Sequence, residues 1–440
     1  MSFALDESIS PQQQKSLSST LVVPVLICLV GALFYSYEYL LRILPSVINP
    51  QLMDHFAIRA HTLGHINAFY YYAYVPMQLP VGLLMDRYGP RFLLALACLL
   101  CVAGTYLFVA TDSVTVACVA RFIVGFGSAF AFVGVLKLAT IWLPSNMFAM
   151  CAGLAAALGT VGAMTGDILL THLSQKMGWV STVNYAAIIG IFLAVLVWAV
   201  VRDKKPTLHR SHEHPPAADF KQLLRELFLI LKKPQMWVIG LIGCLIYLPT
   251  TVFAEQWGIM YLEQSKHLIP THAALGNTML FLGFTIFAPI SGWLSDKLHS
   301  RRKPLLIGAL GATLFMLIII YVPNLSETTV YALMFMLGAM YSSQAIVFAV
   351  AREICPASVA ATAIATTNML VMLGGILFQP LVGDVLDFVQ GNIPNALHLY
   401  STYDFKWALA ILPVGIFISA VLVFSLRESH PKNSGKLITG

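Results

Sequence analysis

A chain of 440 residues that is 58% hydrophobic and only 10% charged, with a mean hydropathy of +0.79, cannot be a water-soluble monomer, since soluble domains carry about 25% charged residues. The net charge of +6 raises nucleic acid as a partner, but the bases cluster beside apolar runs, which argues for orientation in a lipid bilayer and against nucleic acid. Six of the seven cysteines lie within apolar runs, and Cys98-x-x-Cys101 sits in one without a second pair or a nearby histidine, so helix packing is expected there and no metal or cofactor.

The first twenty residues are polar and carry no basic stretch ahead of a short apolar core with a cleavage site, so the first apolar run is expected to stay as a helix. A membrane-spanning helix needs about 20 mostly apolar residues. Twelve runs meet that length, over 21–46, 62–86, 92–112, 115–143, 146–172, 182–202, 235–262, 272–296, 303–322, 327–352, 357–386 and 404–427. The break between the fourth and fifth is weak and rests on Leu143-Pro144-Ser145-Asn146, a proline followed by capping residues. The predicted organisation is a tail (1–20), six spans (21–202), a linker (203–234), six more spans (235–427) and a second tail (428–440).

Of the 26 lysines and arginines, 19 fall on the side that carries both tails and only Arg59, Lys176, Lys266 and Lys406 on the other, which predicts cytoplasmic termini. The linker holds His209, His212 and His214, but no other group with ligand spacing accompanies them, so no metal is expected. Beyond Pro215 and Pro216, Phe220, Leu223, Leu224, Leu227, Phe228 and Leu231 recur at helical spacing among basic residues and predict an amphipathic surface helix.

Charges inside apolar runs are costly, about 2.5 to 3.5 kcal/mol on insertion scales, and those that stay usually face a cavity or a partner. In the first span Tyr35, Glu38, Tyr39 and Arg42 share one face, with Glu38 and Arg42 spaced for an ion pair. They read equally as a substrate or proton site and as an outer helix end anchored by aromatics. In the fourth span Arg121 and Lys137 are sixteen residues apart, about 24 Å along the axis, so they cannot act on one small group together. Lys137 is expected to face a cavity. Asp167, after a run of glycines in the fifth span, is a proton site or, by preference, an ordinary polar residue near the outer surface. Of Tyr70, Tyr71, Tyr72 and Tyr74 in the second span, one or two are expected to face inward. The second half contributes Tyr247, Glu255, Gln256, Trp257, Asn277, Tyr341, Gln344, Asn368 and Gln379.

GLLMDRYGPR, from Gly82 to Arg91, returns 210 residues later as GWLSDKLHSR. Gly82, Asp86, Arg87 and Arg91 map to Gly292, Asp296, Lys297 and Arg301, and such a repeat at half the length of a membrane chain marks a transporter built from paired bundles. Gly82-x-x-x-Asp86-Arg87-x-Gly89-x-Arg91 resembles the loop motif of the major facilitator superfamily, and Arg121 opens RFIVGFGSA, which resembles the arginine-glycine motif of that family's fourth helix. Gly125 and Gly127 there also read as a close-packing face. The glycine run before Asp167 lacks the proline of the family's antiporter branch.

The resemblance implies an all-α membrane protein of twelve transmembrane helices in two pseudo-symmetric six-helix bundles. It further implies that the first, fourth, seventh and tenth helices line a central cavity, which makes Tyr35, Glu38, Lys137, Tyr247, Tyr341 and Gln344 candidates. It makes Asp86, with Arg87 and Arg91, a latch that closes the cytoplasmic side by meeting a helix end of the other half. With no Walker motif or nucleophile elbow, an enzyme is not expected. The expected function is secondary active transport or uniport, with or without protons, of a small polar or charged solute such as an organic anion, amino acid or short peptide. Drug or metabolite efflux by proton antiport and a non-transporting scaffold are the alternatives. A monomer in the cell membrane is expected.

Overall fold

A computed structural model describes residues 11–144, 147–203, 220–356, 359–391 and 399–430. The linker histidines and the chain ends beyond these ranges lie outside the described residues. Helices account for all the regular structure among the described residues. Eleven are continuous, apolar and long enough to cross a bilayer: Val22–Val47, Pro90–Val109, Val114–Trp142, Met150–Met177, Trp179–Val200, Pro234–Lys266, Pro270–Lys297, Arg302–Tyr321, Glu327–Glu353, Ala360–Gln390 and Thr402–Ser425. The remaining span, the second in chain order, is the expected run divided into Ala60–Met77 and Pro80–Tyr88. Pro80 has no amide hydrogen to continue the ladder, so the helix turns at Gln78–Leu79 and restarts. The weak break after the fourth span is real: that helix stops at Trp142, and the next begins at Phe148.

The twelve spans form two six-helix bundles. Phe220–Leu231 is helical as its periodicity predicts, with Phe228 exposed and Leu223 and Ile230 buried, and Glu226 accepts a hydrogen bond from Thr362 Oγ1 at 2.8 Å. Two turns of π-helix interrupt the spans, Gly166–Leu170 in the fifth and Pro249–Trp257 in the seventh, and a 3₁₀ turn, Ser342–Ala345, interrupts the tenth. The π turns are wider than an α-helix and the 3₁₀ turn tighter, and such irregular turns concentrate at functional positions.

The bundles meet on the side away from the termini. There the second helix runs along the eleventh at close range: a Cβ on Gly64 would lie 2.7 Å from the Gln379 carbonyl oxygen, and one on Gly383 would strike the Ala60 backbone. Arg59 Nη2 donates to Gln390 Oε1 and to the Gly391 carbonyl, each at 3.0 Å, and the Ala60 amide donates to Tyr400 OH at 3.1 Å. Towards the terminal side Gln78 and Asn368 share a hydrogen bond of 3.0 Å, and Thr285 Oγ1 donates to Thr160 Oγ1 at 2.8 Å; Gly82, Gly153 and Gly292, nearer the membrane face, have open space where a side chain would stand.

Candidate functional site

The first helix turns Glu38 and Arg42 into the joint, where both are buried. Arg42 Nη2 and Nε donate to Glu38 Oε1 at 2.6 and 3.0 Å, and Nε also reaches Tyr70 OH at 3.1 Å. Tyr70 OH donates to the same carboxylate oxygen. Across the joint, Arg42 Nη1 stands 3.8 Å from Glu255 Oε1, and Glu255 Oε2 accepts from Tyr71 OH. Gln256, its neighbour on the widened turn, accepts from Asn67 of the second helix. One guanidinium therefore lies between two carboxylates belonging to different bundles.

Aromatic rings enclose it. The Arg42 guanidinium sits 4.4 Å from the Tyr39 ring centre, 4.8 Å from that of Tyr74 and 5.4 Å from that of Tyr70, the stacking that suits a planar, weakly hydrated cation. Tyr35 packs edge-on to Tyr39 at 5.2 Å. Three of the four clustered tyrosines, Tyr70, Tyr71 and Tyr74, are buried at this layer, more than expected, because the inter-bundle joint wraps the second helix on two sides. Arg121 adds a second buried guanidinium: Nη1 donates to the Leu41 carbonyl at 3.2 Å and the group lies 5.1 Å over Tyr70. Gly125, one turn beyond, packs directly on the Tyr70 backbone, so packing and charge share this motif. Arg42 Nη1, Arg121 Nε, Glu38 Oε2 and Glu255 Oε1 are buried with no hydrogen-bond partner among the described residues. The layer thus presents donors and acceptors of both signs that the protein does not itself satisfy.

Asp167 is corrected by the structure. It is not near the surface but wholly buried in the fifth helix's widened turn, against the eighth helix. Asn277 Nδ2 donates to Asp167 Oδ2 at 2.9 Å and to the Ala254 carbonyl at 3.0 Å, while Oδ1 has no hydrogen-bond partner among the described residues. Lys137 is partly exposed and pairs with Asp86 of the same bundle. On the other half, Tyr341 OH accepts from Thr250 Oγ1 at 2.8 Å, and Tyr247 and Phe284 pack beside its ring. Gln344 is buried in the 3₁₀ turn.

The two loop motifs keep the same frame. Gly89 has φ +80°, and His299, its counterpart, is held at φ +50°, a left-handed value that costs a side-chain-bearing residue. The backbone amides of Arg91 and Arg301 each donate at 2.8 Å to an acid just beyond the last helix of their own bundle, Asp203 and Glu428. Arg91 also lies 4.4 Å over Trp198, and Arg301 bridges Asp296 at 2.7 Å and Glu353 at 2.6 Å. Arg87 stacks at 5.3 Å on Tyr88 and Lys297 at 4.9 Å on Trp293. Among the described residues, Asp86 pairs with Lys137 of its own bundle and Asp296 with Arg301 and His430 of its own. Sequence reading missed the pairing of Tyr71 with Glu255 and of Asn67 with Gln256, which joins residues 184 and 189 positions apart and leaves no local pattern.

Two six-helix bundles meeting over a buried layer of mixed charge define a membrane transporter of the two-bundle kind. The family model of the Major Facilitator Superfamily matches residues 27–379 and 256–439, and the chain belongs to that family. AraJ, a transporter-family protein of Escherichia coli (strain K12), is 26% identical over 260 residues, which are 59% of this chain and 61% of AraJ. The glycerol-3-phosphate transporter of Bacillus subtilis (strain 168) is 23% identical over 381 residues, 81% of this chain and 85% of its own. Among solved structures, a bacterial homologue of the human lysosomal transporter Spinster, in an inward-facing and unoccupied conformation, superposes with a TM-score of 0.76 at 16% identity, covering 92% of this chain and 97% of that one.

Proposed function

We propose that the chain carries a small organic anion across the cell membrane by alternating access, and that Arg42 is the group that receives it. The observation carrying this reading is the Arg42 guanidinium, buried at the joint, shared between Glu38 and Glu255, and with one nitrogen lacking a hydrogen-bond partner among the described residues. A carboxylate or phosphate oxygen suits such a donor, and planar guanidinium binds these groups in a forked geometry. The relative named for glycerol 3-phosphate, whose match covers most of both chains, supports an anion over an apolar drug. When the anion takes one face of Arg42, it competes with Glu255, and the cross-bundle link loosens. Release of the far side then needs no energy source beyond the solute gradient or a proton.

For the proton, Asp167 is the better carrier than Glu38. The hydrogen bond it accepts from Asn277 comes from a neutral amide of the opposite bundle, so gaining or losing a proton there acts on the joint directly. With both termini in the cytoplasm, as the charge bias supports, the described conformation is open to the inside and closed to the outside. Asp86, Arg87 and Arg91 then serve as the latch of the opposite state, in which Asp86 leaves Lys137. The test is a thermal-shift screen of the purified protein against small phosphate esters, carboxylates, sulfonates, amino acids and short peptides. A stabilising anion whose effect disappears in Arg42→Gln is expected; stabilisation by neutral or cationic compounds alone would overturn the reading.

A further inference from the structure

At the outer rim of the joint, away from the buried layer, the second helix begins with His61 and His65 one turn apart, so both imidazoles lie on one face. Their ring centres are 4.7 Å apart. Asp384 of the eleventh helix, in the other bundle, contacts His61 Nδ1. One donor atom from each of the three side chains lies within 4.8 Å of the others. The backbone frame behind them is fixed from several directions. The His61 amide donates to Asp387 Oδ2 at 2.9 Å, Tyr400 OH donates to Asp387 Oδ1 at 2.6 Å, and Gly383 presses on the Ala60 backbone. Arg59 Nε stands 3.5 Å from the same Asp387 carboxylate, which leaves Asp384 as the acid facing the imidazoles.

Two imidazoles and a carboxylate form a three-ligand set suited to zinc, with a fourth position left for water. Bonds of about 2.1 Å in a tetrahedron place the donors about 3.4 Å apart, a contraction that torsions of these part-exposed side chains supply. We propose that His61, His65 and Asp384 bind a zinc-type divalent cation across the outer joint, and that the bound ion clamps the two bundles together on that side. Because its ligands come from both bundles, the ion binds the far-closed state and not the far-open one, and so draws the population towards closure.

The experiment uses the full-length protein with His209, His212 and His214 replaced by alanine, so that the linker histidines contribute no zinc binding. ZnCl₂ is titrated against it by calorimetry after chelator treatment. One equivalent is expected to bind, and His65→Ala and Asp384→Ala are each expected to weaken binding by about a hundredfold, at least the loss that removal of an outer-shell partner causes. Amide hydrogen exchange over residues 57–66 and 380–391 is expected to slow when zinc is added. Absence of binding, or binding unchanged in both variants, overturns the site; binding that leaves exchange at these segments unaltered overturns the clamp.

Discussion

Arg42 is held by opposing demands, and its neighbours show how they are met. A buried cation needs a counter-charge, and Glu38 supplies one at 2.6 Å; a second carboxylate, Glu255, then stands at 3.8 Å with one oxygen lacking a hydrogen-bond partner among the described residues. Removing one partner of a buried pair costs about 3–5 kcal/mol, because the group left behind stays charged in a low dielectric. Arg42→Gln is therefore expected to lower the melting temperature in detergent sharply, leaving two acids facing each other. Glu38→Gln combined with Arg42→Gln is expected to recover much of that stability without recovering anion binding. Equal stability of single and double variants would show that the pair is not coupled. Glu38, Arg42 and Arg121 were legible in the sequence, since a charge in an apolar run stands out against its surroundings. Lys137 was legible as a charge but not as a partner of Asp86, because the two are 51 positions apart and meet only through the packing of the second and fourth helices.

At the scale of elements, hydropathy located all twelve spans but not their internal breaks. A period of 3.6 residues and a single widened turn differ too little over five to nine residues to register in a pattern. Yet Asp167 sits in one such turn, and Glu255 and Gln256 in the other. Pro80 dividing the second span and Pro249 opening the seventh helix's wide turn are visible letters whose consequence depends on packing. The loop motifs, in contrast, repeat at the level of geometry as well as spelling: each donates an arginine amide to an acid that follows its bundle's last helix. Burial alone would raise the Glu428 carboxyl, but hydrogen bonds from the Arg301, His430 and Arg302 amides and the Ser300 hydroxyl hold it below the ordinary value of 4.5. A folded-state value below the unfolded one means that this contribution is complete above about 4.5 and is lost as pH falls below it. Glu428→Gln is expected to flatten the fall of melting temperature with acidification in that window; an unchanged acid limb in the variant would show that other carboxyls govern it.

Over the whole molecule, one conformation of a two-state device is on view. The 210-residue repeat foretold paired bundles, and the charge bias argues for both tails on the cytoplasmic side. Neither said which side would be shut, because both states satisfy the same pattern of apolar and basic residues. The closed side is held by contacts between chain segments hundreds of positions apart, such as Gly64 with Gln379 and Arg59 with Gln390. The buried layer lies just inside that closure and is itself part of it, through Glu255, Gln256 and Asn277 reaching residues of the first bundle. On the proposed reading, an anion arriving at Arg42 would meet the link that joins the two bundles, which would tie recognition to release. The most direct test is counterflow in proteoliposomes: vesicles loaded with unlabelled small phosphate esters, carboxylates or sulfonates are offered the same labelled anion, with the wild-type chain and with Arg42→Gln reconstituted at equal density. Accumulation of at least one anion by the wild type and its loss in the variant is the predicted result, whereas anion counterflow that survives Arg42→Gln undiminished would contradict the central role given to that residue.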